Sequence, residues 1–223
     1  MADISLFDII GPNMIGPSSS HTAGALRIAL LAGKLVQGQI VSADFTLYGS
    51  FAKTYRGHGT DRALLGGILG FDTEDKRIKD SFDWAQRAGL RYSFTENTEK
   101  TDVHPNTVDI LLKNDAGRET RVTGVSIGGG RVNIKRINGV KIDFSGEYNT
   151  IIVRHLDSPG MVAYITRCLS EYDINIAYMR MYRDSKGENA YSIIEADGEI
   201  APAVIERIAA HEKISEALLI NRG

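Results

Sequence analysis

Residues 16–22 read Gly-Pro-Ser-Ser-Ser-His-Thr. Ser18, Ser19, Ser20, His21 and Thr22 set an imidazole among four hydroxyls, directly ahead of an apolar, helix-like run. Hydroxyls and free backbone N–H groups at a helix start converge on an anion, and the helix adds a partial positive charge there. His21 takes or gives a proton near neutral pH. The set suits a small carboxylate substrate that must exchange a proton. The same residues also suit a plain helix N-cap. A second turn, Arg56-Gly57-His58-Gly59-Thr60-Asp61, precedes a second helical run. Its glycines permit positive φ and close approach of another molecule. Thr60 or Asp61 is the expected N-cap of that helix. His58 alone reads as an exposed turn residue; as the second histidine turn ahead of a helix, it becomes a second titrating group.

The elements around these turns follow from periodicity. Leu6, Phe7, Ile9 and Ile10 form an apolar lead-in, broken at Gly11-Pro12 and again at Gly16-Pro17. From His21 to Val36 the pattern is helical, and Leu26, Ile28, Leu30, Leu31 and Leu35 leave few polar positions, so the helix is mostly buried. Residues 43–52 alternate like a strand, with Phe45, Leu47 and Gly49 on one side. A third helix is expected from Ser81 to Ala88, with Ser81 as N-cap, Gly89 as stop, and Phe82 and Trp84 in the core. Residues 90–145 are β-rich: Val108, Ile110 and Leu112 alternate with polar neighbours, and Asn138-Gly139 marks a two-residue hairpin turn. His104-Pro105 reads as an extended loop.

Near Gly146 the pattern changes. A strand at 150–155, a helix from Met161, strands at 174–182 and 189–195, a helix from Pro202 and a strand at 214–221 spell β-α-β-β-α-β, a ferredoxin-like unit. In the strand at 174–182, Ile174, Ile176, Tyr178, Arg180 and Tyr182 share one face by simple alternation. The fold class is therefore α+β, with domains at 1–147 and 148–223. Asp157-Ser158-Pro159-Gly160 feeds the first helix of the second domain, whose free N–H groups suit a carboxylate. Asn175, at the next strand, can accept from an ammonium. Ser158, Pro159, Gly160 and Asn175 are thus candidate effector-binding residues, or else a plain strand-to-helix turn.

Composition narrows the function classes. A formal net charge of −2 without basic runs speaks against nucleic acid and anionic membranes as partners. The single cysteine, Cys168, rules out an intrachain disulfide and fits a reducing compartment. The start, Met-Ala-Asp-Ile-Ser, has no signal-peptide pattern, and no apolar stretch is of membrane-spanning length, so a cytoplasmic location is expected.

Taken together, Gly16-Pro17-Ser18-Ser19-Ser20-His21-Thr22, Leu47-Tyr48-Gly49-Ser50 and Gly57-His58-Gly59-Thr60-Asp61 resemble the iron–sulfur-dependent L-serine dehydratases, in the β subunit of the two-subunit form. The resemblance covers essentially the whole chain. Its first domain also resembles the allosteric substrate-binding domain of some phosphoglycerate dehydrogenases, and Asp157-Ser158-Pro159-Gly160 resembles an ACT domain, an amino-acid-sensing module. The resemblance implies a lyase acting on L-serine to give pyruvate and ammonia with a 4Fe-4S cluster. It implies His21 and His58 as catalytic residues, and Ser18, Ser19, Ser20, Thr22, Gly59, Thr60 and Asp61 as substrate-binding residues. A cluster needs about four cysteine ligands, so with Cys168 alone the cluster is expected on an α subunit, with no metal site on this chain. Self-association through the ACT-like half is also expected. Which histidine is acid and which is base stays open, as does the reading of the chain as a stand-alone regulatory amino-acid-binding protein without catalysis.

Overall fold

The structure is a computed structural model and describes residues 14–222. The lead-in residues Leu6 to Pro12 lie outside the described residues. The chain divides into two compact units, one ending at Gly139 and one beginning at Val140. Among the described residues, no helix is long and apolar enough to cross a membrane.

The first unit begins with a wide π-type turn, Ser19–Gly24, that runs straight into helix α1, Ala25–Lys34. The expected single helix from His21 thus has an over-wide first turn, and Ser18 caps it by accepting from the His21 N–H. Strand β1, Ile40–Tyr48, is followed by the short helix α2, Gly49–Thr54, and by α3, Thr60–Ile68. The expected strand over 43–52 is therefore cut short: Gly49 sits at φ 54, which turns the chain out of the sheet and starts a helix. A 3₁₀ turn, Lys76–Asp80, leads into α4, Ser81–Arg87. Ser81 does not cap α4; its hydroxyl donates to the carbonyl of Ile78 at 2.7 Å. Nor are Phe82 and Trp84 core residues. They are half-buried, with Arg62 over Phe82 and both Arg77 and Arg87 over Trp84, while Ala85 faces the interior.

Strands β2 (Arg91–Asn97), β3 (Thr107–Asn114), β4 (Glu119–Gly128) and β5 (Arg131–Ile137) join β1 in the sheet order β2-β1-β3-β4-β5. β1 and β2 are parallel, as a helical crossover requires, and the other pairs are antiparallel. Phe45, Leu47, Val108, Ile110 and Leu112 bury the expected alternate positions, and Val122 on β4 is buried with them. Ile127, in contrast, is exposed. Helix α1 meets this sheet closely, because Gly124 on β4 leaves room for Ile28: a Cβ there would stand 2.2 Å from the Ile28 Cγ2. It meets α3 just as closely, since a Cβ on Gly67 would stand 2.3 Å from the Leu26 carbonyl oxygen. At the close of β5, Asn138 and Gly139 both have positive φ, 50° and 87°, as the two-residue turn demands.

The second unit opens with β6, Val140–Phe144, and then builds β7 (Asn149–Leu156), α5 (Met161–Ser170), β8 (Ile176–Arg183), β9 (Asn189–Ala196), α6 (Pro202–Ala209) and β10 (Ile214–Ile220). The last four strands form an antiparallel sheet in the order β10-β7-β9-β8, which is the ferredoxin-like arrangement. Ile151, Val153, Ile194, Ile165, Leu169, Val204 and Ile208 make its core, and Cys168 lies in it with no exposed surface. The simple alternation expected along β8 fails. A register shift between Ile176 and Tyr178 lets Ile176 and Met179 both pack on the core, and leaves Tyr178 exposed against Tyr148.

Candidate functional site

The two histidine turns come together. The His21 and His58 rings lie 4.8 Å apart between centroids, edge to face, and the Thr22 hydroxyl donates to the His58 carbonyl at 3.1 Å. His58 is delivered by the end of α2, where its N–H donates to the Thr54 carbonyl. The beginning of α2 delivers Ser50, whose hydroxyl lies 2.9 Å from His21 Nε2. On the other side of the ring, the Ser18 hydroxyl lies 3.3 Å from Nδ1 and also accepts the His21 backbone N–H at 3.1 Å. Phe51 closes an edge of the ring at 5.3 Å.

A neutral imidazole donates through one nitrogen and accepts at the other, while a serine hydroxyl serves in either sense. Either tautomer of His21 is therefore satisfied between Ser18 and Ser50, and a proton can enter on one side of the ring and leave on the other. Burial lowers the pKa of this ring, and the neighbouring His58 lowers it further, both against the charged form.

The first unit also holds buried polar atoms without a partner, among them His58 Nδ1, Thr60 Oγ1, Asn106 Oδ1 and Ser126 Oγ. Unmet donors and acceptors of this kind are costly in a closed core, and small-ligand sites are built with such groups. Thr60 is fully buried at the start of α3 and is not its cap. The cap is Gly59, at φ 66, without a side-chain bond, which corrects the expectation for Thr60 and Asp61. Asp61 lies inside the first turn, buried, and accepts the Arg62 N–H at 2.8 Å; burial raises its pKa and that bond opposes the rise. Ser19 and Ser20 are half-buried on the wide turn, with Ser20 Oγ 3.9 Å from where a Gly128 Cβ would stand. His104 is exposed, and its Nδ1 accepts the Asn106 N–H at 3.2 Å.

Ser50, Asn106 and Ser126 were not among the candidates from sequence. Ser50 had a signal, as the last residue of the Leu47-Tyr48-Gly49-Ser50 stretch that carries part of the resemblance. Asn106 and Ser126 lie in and beyond a loop far along the chain, and only the pairing of β3 with β4 brings them near.

The effector candidates belong to the second unit. Ser158 Oγ is buried and unpartnered, Gly160 caps α5 at φ 91, and Pro159 is exposed. The Asn175 amide donates to Asp197 Oδ2 at 3.0 Å, which leaves its carbonyl oxygen to accept. A cysteine-bound iron–sulfur cluster does not fit this chain: its one thiol is enclosed by the core of the second unit. Among the described residues, no group of His, Cys, Asp and Glu is arranged to hold a metal ion.

A family model described as serine dehydratase beta chain matches residues 5–89. The chain is 42% identical over 217 residues to the L-serine dehydratase, beta chain, of Peptoniphilus asaccharolyticus, covering 97% of this chain and 98% of that one. It is 42% identical over 205 residues to the probable L-serine dehydratase, beta chain, of Bacillus subtilis, covering 92% of each. A more distant likeness, 24% over 200 residues, joins it to the D-3-phosphoglycerate dehydrogenase of Bacillus subtilis, covering 87% of this chain and 37% of that one. With both histidine turns inside the matched segment and the likeness running nearly end to end, the chain belongs to the serine dehydratase beta chain family.

Proposed function

We propose that this chain is the β subunit of an iron–sulfur L-serine ammonia-lyase, which with an α subunit converts L-serine to pyruvate and ammonia. The observation that carries this reading is the His21 ring held between two hydroxyls and edge-on to His58. Elimination of water from serine removes the proton on Cα and adds one to the departing hydroxyl. His21 holds or moves that proton at Nε2, with Ser50 as its contact. Ser18, Ser19, Ser20, Thr22 and the start of α3 at Gly59, Thr60 and Asp61 supply donors for the substrate carboxylate. His58 offers Nδ1, which has no partner of its own. The 4Fe-4S cluster belongs on the α subunit, since the buried Cys168 cannot anchor one. In the second unit, Ser158, Pro159, Gly160 and Asn175 form an effector site for an amino acid, and the ACT-like half associates with its own copy.

A stand-alone binding protein would carry the same ferredoxin-like unit, but binding alone has no use for a second titrating ring. Anaerobic assembly of this chain with its α subunit, followed by pyruvate release from L-serine, tests the reading. The complex is expected to turn over, His21→Ala to lose about 100-fold or more in kcat, and the isolated chain to be inactive and to take up no cluster from iron and sulfide. A stoichiometric cluster on the isolated chain, or full kcat in the variant, would overturn it.

A further inference from the structure

The wide turn that carries His21 is wedged against the sheet at one point. Gly24 closes the turn, and a Cβ built on it would stand 2.1 Å from Ser126 Oγ and 2.8 Å from Ser126 Cβ. The same Cβ would stand 3.5 Å from the Ser19 carbonyl oxygen, where the turn begins. Ser126 is fully buried, and its hydroxyl has no hydrogen-bond partner. A buried, unbonded hydroxyl is worse than a methyl on energetic grounds, so its bonding does not explain it. Its position does: it occupies the space that a side chain at residue 24 would otherwise fill.

We propose that the contact between Gly24 and Ser126 sets the wide turn, and through it the position of the His21 ring between Ser18 and Ser50. Ser126 is on this account a positioning residue, acting on the site through Gly24. A π-type turn holds one residue more than an α turn. Were the turn to tighten to α geometry, everything ahead of Gly24 would rotate by about 100° about the axis of α1. His21 would then swing off Ser50. One step further along, the fit is reversed, with Gly124 on β4 making room for Ile28 on α1. Helix and strand thus interlock at two successive levels, and the level nearer the site carries the hydroxyl.

The inference rests on His21 being functional, but its test need not. In the isolated full-length chain, the His21 ring-nitrogen NMR signals report tautomer and titration without an α subunit or turnover. Gly24→Ala overfills the contact and Ser126→Gly empties it, so each is expected to shift the His21 titration and tautomer balance. The double variant G24A/S126G refills the space from the helix side and is expected to bring the signals back. In the assembled enzyme, Gly24→Ala should lower kcat by about 100-fold, the cost of a small displacement of a catalytic group, with KM within about threefold, and the double variant should recover most of that loss. If Gly24→Ala does not fold, the double variant decides alone: folded with native His21 signals supports the inference, folded with displaced signals overturns it. Unchanged His21 signals in both single variants would also overturn it. An inactive wild-type complex would instead count against the proposed function.

Discussion

The hydroxyl of Ser50 stands 2.9 Å from Nε2 of His21, while Ser18 faces Nδ1 at 3.3 Å. The shorter contact is the one made across the fold, 29 residues away, and the longer one is local. Ser50→Ala should therefore leave His21 anchored by Ser18 but lose its proton path on the Nε2 side. The expected result in the assembled enzyme is a fall in kcat of about 10- to 100-fold with KM little changed. A drop confined to KM would assign Ser50 to substrate binding instead.

The acid side of the pH profile follows from the ring's surroundings. Burial and then the nearby His58 lower the His21 pKa from its ordinary 6.5. The neutral ring therefore persists below pH 6.5, and the acidic limb of kcat/KM should lie below that value. Stability carries the same sign. Below the ordinary value the unfolded chain takes up the proton first, so stability linked to this ring is complete above 6.5 and is lost as pH falls through the lower, folded value. In His58→Gln, NMR titration of His21 should move up towards 6.5 but stop short, because burial is the larger cause. No movement at all would mean that His58 is not felt.

Two glycines of the site differ in what surrounds them. Gly59, at φ 66, has nothing within 4 Å of a built Cβ, whereas Gly49, at φ 54, has Pro105 backbone atoms at 2.7 Å. Gly59→Ala should cost only the left-handed backbone penalty, about 1–2 kcal/mol. Gly49→Ala adds a clash with main chain that cannot rotate away, and should cost about 3 kcal/mol or more. Urea unfolding of both variants checks the order, and equal losses would contradict it.

For the second unit, the expected ligand site predicts that L-serine binds the full chain with a heat signal that Gly160→Val reduces by one site. Gly160 stands at φ 91, so the substitution strains the start of α5, where the donors are. Equal binding by both chains, or a signal lost entirely in His21→Ala, would remove the second site.

The ferredoxin-like unit could be read from sequence because each of its elements carries its own period and its turns carry their own glycines. What failed there was local: the bulge between Ile176 and Tyr178 is set by pairing with β9, which alternation cannot announce. The histidine turns were legible as residue types, but their meeting was not. It depends on Gly49 ending β1 early, so that one short helix places Ser50 at its start and His58 beyond its end. The wide form of the first turn was also invisible, because it is imposed by Ser126, more than a hundred residues along the chain.

Where α1 crosses α3, Gly67 brings one main chain against the other at the Leu26 carbonyl. These two helices begin at the two histidine turns, so the spacing of the turns is gauged by backbone against backbone. Core side chains off this crossing, such as Phe45 or Ile110 in the sheet, touch neither main chain there, and an exchange for one of similar bulk should leave that gauge alone. A single added methyl at residue 67 would therefore push the two helices apart and carry the two imidazoles out of register.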